Sequence, residues 1–477
     1  MSVNAQRPVN RLPVEILSKI FHQVPPSLTP RVAYGCSLKY YLVWDSFFDF
    51  KDTDALLPLT HVCRWWRDVA LGTPTLWTTL YGSSHPDAIG EYRLRSQGAP
   101  LKVLNIKNKN LDVQQLWRTD GQRIQSLASY KGRNFDLPTS HAHGLHALAA
   151  KNCLLQGDVS NLKALVLRAV DWHLPSTLIN LTHLYLVKKR LRVVDMLRIL
   201  SIAPKLEDLS LHKMSAEEAF DAHEDIPAVT LQHLHRLVIH RPDRKLISGF
   251  FSHVGVPASL AINLEDCEAS DFQWLVPLTQ NDAKSLYISA YTYSVIVTGP
   301  SKAVRFSSKL GSDPMDQWIA ALLSHFQLKE LWIASTYGSG ELEEEIIKHT
   351  PWAETLHLDS FACMTMIGAL LKYPTWWPKL TKVVLSHPCQ PIEILKLAES
   401  RARLGCPLEE LECHESRSMI SEMFSLDLEK IKSYVGVVRL IEDGPIALPL
   451  PDVCTDGVPS PHFWPKEWSA MPNHFLP

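Results

Sequence analysis

No run of 18 uncharged apolar residues occurs in this 477-residue chain, and its first ten residues, MSVNAQRPVN, lack the apolar stretch that secretion requires. A transmembrane helix and a signal peptide are therefore not expected. The nine cysteines, scattered from Cys36 to Cys454, contain no CxxC pair, and their odd number leaves one thiol over in any intramolecular scheme. Both points favour a reducing compartment, cytosol or nucleus, where the sequon Asn180-Leu181-Thr182 has no glycosylation role. Excess charge of one sign is missing as well: Lys+Arg 48 against Asp+Glu 50 gives −2, so no global electrostatic case exists for nucleic acid or anionic membrane as partner, which leaves only local patches.

Catalytic signatures are equally scarce. The chain has no GxxxxGK phosphate cradle, no GxGxxG, no HExxH and no GxSxG turn. His141, His143 and His146 have spacing that suits a metal, but no Cys or carboxylate adjoins them, and a solvated loop is the simpler reading. Cys406, Cys413 and His414 lack a fourth ligand, and the acidic run Glu341 to Glu345 reads as a solvated helix start. The expectation is a non-enzyme with no cofactor and no metal.

What is present is ordinary globular material, 46% hydrophobic and 21% charged, enough for a large core. Two blocks near the N-terminus, RLPVEILSKIF and LPLTHVCRWWRDVALGTPTLW, carry helical periodicity. In the first, Leu12, Ile16 and Ile20 recur every four residues with Leu17, Phe21 and Val24 beside them. Pro13 suits the first helical turn, Glu15 the positive end of the helix dipole, and Pro25 and Pro26 stop the helix. In the second, Leu59, Val62, Cys63, Trp66, Val69 and Ala70 keep helical spacing up to Gly72 and Pro74.

These residues resemble an F-box, in the form common among fungal F-box proteins. Leu12, Pro13, Glu15, Ile16, Leu17, Ile20 and Phe21 match the family's first helix, and Leu59, Val62, Cys63, Arg64, Trp66, Arg67 and Val69 its last. The segment from Gly82 to Val103 is similar to the one that succeeds the F-box in those proteins. One departure is an aromatic insert from Pro25 to Leu57, with Tyr34, Tyr40, Tyr41, Trp44, Phe47, Phe48 and Phe50, which is expected to pack on the domain. The resemblance implies docking, through Leu12, Pro13, Glu15, Ile16, Leu17, Ile20, Leu59, Val62 and Trp66, onto the Skp-type adaptor of a cullin ubiquitin ligase. The alternative is a helical cap on the C-terminal remainder of the chain.

Residues 83–140 read as a bridge, with strand signals at Leu101 to Ile106 and Ile124 to Ala128. Beyond it an LxxLxL pattern starts at residues 162, 181, 206 and 234, and again at 328, 353, 380 and 408, with a weak copy at 283. Successive starts lie 19, 25 and 28 residues apart in the first group and 25, 27 and 28 in the second, which is leucine-rich-repeat spacing. Each unit supplies a strand whose fourth and sixth motif residues point inward, and stacking buries what one unit cannot. Pro204, Pro351, Pro378 and Pro407 precede motif starts, where a helix must end. Residues 241–324 fit the pattern poorly, and an insertion is expected there.

The expected architecture is thus α/β (α+β): an F-box-like domain over 1–82, the bridge, a parallel-sheet solenoid over 141–442, and a proline-rich tail over 443–477. The tail, with eight prolines in its last 33 residues, is expected to wrap the last repeats. In this phasing the concave face displays Tyr185, His212, His240, Tyr287, Trp332, His357, Asp359, Glu412 and His414, aromatics and histidines suited to a protein target. Two functions are compatible with this reading. One is a non-catalytic substrate receptor of a Skp-cullin-F-box ligase, holding an unknown protein substrate. The other is a leucine-rich scaffold with no ubiquitin link.

Overall fold

A computed structural model of the chain describes residues 12–28, 48–105, 111–129, 135–137, 139–151, 153–155, 159–168, 178–187, 190–216, 228–275, 283–289, 294–308, 314–334, 341–386, 391–414, 428–441 and 448–455. The chain divides into two compact units, residues 1–234 with 249–256, and residues 235–248 with 257–477. Each is mixed α/β and built on a parallel-rich sheet.

The first unit opens with helix α1, Val14–Gln23. Pro13 precedes it with extended backbone, giving its carbonyl to the amides of Ile16 and Leu17, while Glu15 sits in the positively polarised first turn. Leu17 and Phe21 are its buried residues. The second block is not one helix, contrary to its periodicity. It divides into α2, Leu57–Thr60, and α3, Arg64–Leu71, because Cys63 between them is fully extended and its Sγ caps α3 by accepting from the Trp66 amide at 3.4 Å. Phe21 of α1 meets Trp66 of α3 with ring centroids 5.2 Å apart. Behind them the Trp77 indole donates to the Ala70 carbonyl at 2.8 Å and stacks on Tyr92, with the Arg95 guanidinium 4.7 Å above the ring. Of the aromatic insert, Phe48 and Phe50 are buried, and Lys102 Nζ donates to the Asp49 carbonyl at 2.9 Å; Tyr34, Tyr40, Tyr41, Trp44 and Phe47 lie outside the described residues.

From there seven parallel strands pair in chain order: β1 Thr79–Tyr81, β2 Leu101–Asn105, β3 Ile124–Ser129, β4 Ala147–Lys151, β5 Ala164–Arg168, β6 His183–Val187 and β7 Asp208–His212. The bridging residues are therefore strands of the same ladder. Their register puts Leu80, Val103, Leu127, Leu148, Leu165, Leu184 and Leu209 in one row, all buried. Side chains on adjacent strands stand about 4.8 Å apart, so an aliphatic residue at each step makes one continuous apolar seam. Between strands the helix α4, Val193–Ser201, adds a buried Val193 against which Gly249 sits; a Cβ on Gly249 would come 2.6 Å from Val193 Cγ1.

The second unit holds β8 Arg236–His240, β9 Leu260–Cys267, β10 Ser285–Ser289, β11 Ser294–Thr298, β12 Lys302–Ser308, β13 Glu330–Ala334, β14 Thr355–Leu358, β15 Lys382–Leu385, β16 Glu410–His414 and β17 Val437–Ile441. The stretch that fits the repeat poorly contains an antiparallel meander: β10 pairs β11, β11 pairs β12, and the chain order is broken because β12 joins β9 while β10 joins β13. The seam survives the insertion. Leu237, Ile262, Val304, Val297, Leu286, Leu331, Leu356, Val383, Leu411 and Val438 occupy one continuous row.

A backbone device recurs at the motif starts. The second motif residue's carbonyl accepts the amides of the second and third motif residues one unit later: Lys163 from Thr182 and His183, Thr182 from Glu207 and Asp208, Lys329 from Glu354 and Thr355, Glu354 from Thr381 and Lys382, Thr381 from Glu409 and Glu410. Just before, the amides of Leu162, Leu181, Leu206, Leu234, Ala353 and Leu380 each close a turn on the carbonyl three residues back. Asn161 and Asn180 precede two of these starts and donate to the carbonyls of His143 and Ser160. Asn180 is thus part of the backbone scaffold.

The described part of the tail does not follow the last strand. Thr298 Oγ1 of β11 donates to the Pro449 carbonyl at 3.2 Å, and helix α8, Asp452–Thr455, packs against β9. Val437 and Leu440 of β17 stay exposed. Five described cysteines are free thiols, and Cys363 is disulfide-bonded.

Helix α7, Pro391–Arg403, closes its unit with a fully buried cation: Arg401 donates to the carbonyls of Pro374, Trp377 and Leu380 at 3.3, 3.0 and 2.9 Å. Removing the guanidinium strands those acceptors. Arg401→Met is expected to lower the urea midpoint by the equivalent of about 2–3 kcal/mol with an unchanged m-value, and an unaltered midpoint would contradict the role.

Candidate functional site

The two faces of α1 have different fates. Leu17 and Phe21 are buried, whereas Ile16 and Ile20, four residues apart, are 42% and 43% exposed, with Val14, Val24 and Pro13 exposed alongside. In the turn before α3, Val62 is 54% exposed, and within α3 Trp65 and Leu71 are also open to water, with exposed Arg64 and Arg67 on the same helix. Single exposed aliphatics are unremarkable, but a row of them on one helix with more on the helix packed against it is the mark of a docking surface.

The residues expected to dock do not share one environment. Pro13, Glu15, Ile16, Ile20 and Val62 are exposed; Leu12, Leu59 and Trp66 are half-buried. Leu17 must be corrected, since it is fully buried and belongs to the domain's own core. Trp66 turns towards Phe21, and its neighbour Trp65 faces solvent. Val24, part of the sequence's apolar stripe, is exposed with this row; Val14 and Trp65 are not singled out by the sequence, because periodicity alone does not say which of two apolar helix faces is kept and which is offered.

The face read as an open concave surface is more enclosed than expected. Tyr185, His212, Tyr287, Trp332, His357 and His414 are all buried, and the reading of them as displayed side chains is corrected accordingly. One cause is lateral: rings on adjacent parallel strands cover each other, as Trp332 and His357 do with centroids 3.7 Å apart and planes 2° from parallel, and Tyr185 and His212 at 6.2 Å. His240 is half-buried against Asp266 at 3.2 Å. Asp359 accepts from the Ala362 amide at 2.7 Å, capping the helix α6, Ser360–Lys372. Glu412 accepts from Lys382 at 2.9 Å and lies 2.7 Å from His414 Nε2.

At the centre of this network is a residue no motif singled out. Glu330 accepts from Ser285 Oγ and Trp332 Nε1, each at 2.8 Å, and faces His357 Nε2 at 3.2 Å. The hydrogen bond from His357, with help from Ser285 and Trp332, holds its carboxyl down to about 2 against the opposing effect of burial. Burial holds His357 below the ordinary imidazole value, so at neutral pH the ring is uncharged and donates as a neutral imidazole.

Among the described residues no group of three His, Cys, Asp or Glu is placed to hold a metal. Cys413 is buried as a small core residue, in register with buried Leu385 on one side and exposed Leu440 on the other. The acidic run does begin a helix, α5, Glu341–His349, but it is not wholly solvated: Glu343 is fully buried, while Glu344 binds Lys372 and Tyr373.

Both Glu330 and His357 make the fold acid-sensitive. A carboxyl held down to about 2 stabilises the folded state above its unfolded value near 4.5 and loses that contribution as pH falls from there towards 2. A histidine held below 6.5 likewise contributes above 6.5 and loses its contribution as pH falls. The difference in urea midpoint between the wild type and Glu330→Gln should therefore shrink as pH falls below about 4.5. A difference independent of pH would contradict the arrangement.

A search of curated proteins returned no match for the chain. The F-box-like family model matches residues 9–83, spanning α1, the insert, α2, α3 and β1. The helices that carry the exposed aliphatic row are thus the helices of an F-box-like domain at the N-terminal end of the chain.

Proposed function

We propose that the chain is a non-catalytic substrate receptor of a Skp-cullin-F-box ubiquitin ligase, of the fungal F-box type with irregular leucine-rich repeats. The observation that carries the adaptor half is the exposed row of Pro13, Ile16, Ile20 and Val62 on a domain matched as F-box-like, since such domains typically bind Skp-type adaptors. Burying each aliphatic side chain contributes about 1.5–3 kcal/mol, enough in sum to anchor an interface of roughly 1,600 Å². A mere cap would turn this row towards its own chain.

The repeat half is supported by the aliphatic rows in strand register and by the carbonyl that accepts two amides from the next unit, repeated at five motif starts. A stack of this kind holds a protein target beside the ubiquitin-transferring enzyme, and its contribution is proximity and orientation of target lysines. Localisation in cytosol or nucleus and the absence of catalysis belong to the same reading.

Co-expression with a Skp-type adaptor tests it. Ile16→Asp with Ile20→Asp should abolish co-purification while leaving the thermal melt cooperative, because both side chains lie on the exposed face of α1 and outside the domain's core. Leu17→Ala should instead cost about 2–5 kcal/mol of stability through a core cavity. Adaptor binding retained by the Ile16/Ile20 double variant would overturn the assignment.

A further inference from the structure

The tail segment 448–455 lies on one particular face of the second unit's sheet. Thr298, whose hydroxyl holds the Pro449 carbonyl, is in register with Ala303 of β12, which is in turn in register with Ala261 of β9. These three alternate along their strands with Val297, Val304 and Ile262 of the aliphatic seam, so they project from the opposite side of the sheet. Two methyl side chains next to a threonine add little bulk to the sheet, so a chain can approach it closely there.

The segment has the shape for such an approach. Pro449 and Pro451 fix their own φ near −65° and bias Leu448 and Leu450 towards extended conformations, so LPLP favours a polyproline II helix with three residues per turn. Its burial keeps that period up to the start of α8: Leu448 and Pro451 are buried while Pro449 is exposed, and Cys454 is buried within the short helix that follows. The enclosure is tight enough that burial pushes the Cys454 thiol up to about 12. On the same face, two residues along β9 from Ala261, Asn263 is 1% exposed and its Oδ1 accepts no hydrogen bond. An occupant whose prolines have no N–H cannot supply donors at those positions.

We propose that the face formed by β9, β11 and β12 is a docking groove for an extended leucine–proline segment, and that residues 448–451, with the short helix α8 that follows them, occupy it in cis until a target segment of the same kind displaces them. The proposal deepens the target-binding half of the reading above and is independent of the adaptor half. A short tethered segment competes at high effective concentration, so the groove is closed to weak ligands and open to a target delivered at comparable effective concentration.

The test uses a fluorescent peptide with the sequence of residues 446–457, Cys454→Ser, and two proteins: the intact chain and a chain ending at residue 447. The shortened chain should bind the peptide saturably and the intact chain at least about tenfold more weakly, with Leu448→Asp in the peptide abolishing binding to both. Absence of binding to a shortened chain that keeps its cooperative melt overturns the proposal, as does equal binding to both proteins. The intact chain gives a readout that needs no truncation. Alkylation of Cys454, followed by mass spectrometry, should accelerate severalfold under millimolar unlabelled peptide, and a rate indifferent to peptide overturns displacement. Neither measurement involves the adaptor, so failure here leaves the Ile16/Ile20 result standing, and the reverse.

Discussion

The rest of the structure depends on aliphatic side chains in strand register. A single strand of five residues with its following helix buries too little to hold a shape, and it becomes stable only when the next strand places its own leucine or valine beside the first. The row from Leu80 to Leu209 in one unit and the row from Leu237 to Val438 in the other satisfy this at every step. The backbone enforces the same register at five motif starts, where the second-position carbonyl takes two amides of the following motif and leaves little freedom for a slip. The meander at β10 to β12 obeys the constraint too: it reverses the chain twice yet supplies Leu286, Val297 and Val304 to the same row.

Because the sheet looks after its own stability, other apolar residues are released from that duty. Helix α1 commits Leu17 and Phe21 to the domain and keeps Ile16 and Ile20 in water. On the far side of the sheet the same release allows polar and aromatic groups to be held rigidly instead of displayed. Glu330, Trp332, His357 and Ser285 form a hydrogen-bonded set whose charge is fixed at neutral pH. Side chains locked in this way, with Trp332, His357 and Ser285 buried, tie adjacent strands together on this side of the sheet.

Much of this was legible in the sequence. Motif starts at 162, 181, 206, 234, 353 and 380 fall where turns close, and the prolines ahead of 206, 353 and 380 mark helix ends. Strand-register rows could be read because leucines at period 2 within a motif and at about 25 between motifs carry both local and long-range information. Three things were not legible. Cys63 looks like any apolar helical position, and only the capping geometry shows that it breaks the helix. The burial of Tyr185, Tyr287 and Trp332 depends on what covers the second face, and alternation reports faces without saying how far each is open. The path of Pro449 back to Thr298 is a contact across 151 residues with no local signature.

The central claim is that the chain turns one apolar helix row outward to grip an adaptor while its stability resides elsewhere. Hydrogen–deuterium exchange of the intact chain with and without a Skp-type adaptor measures this directly. The account predicts slowed exchange confined to Val14–Val24 and Val62–Leu71, with the strands from β2 onward exchanging at the same rates in both states. Protection spread over the sheet strands, or none in the two helices despite binding, would contradict it.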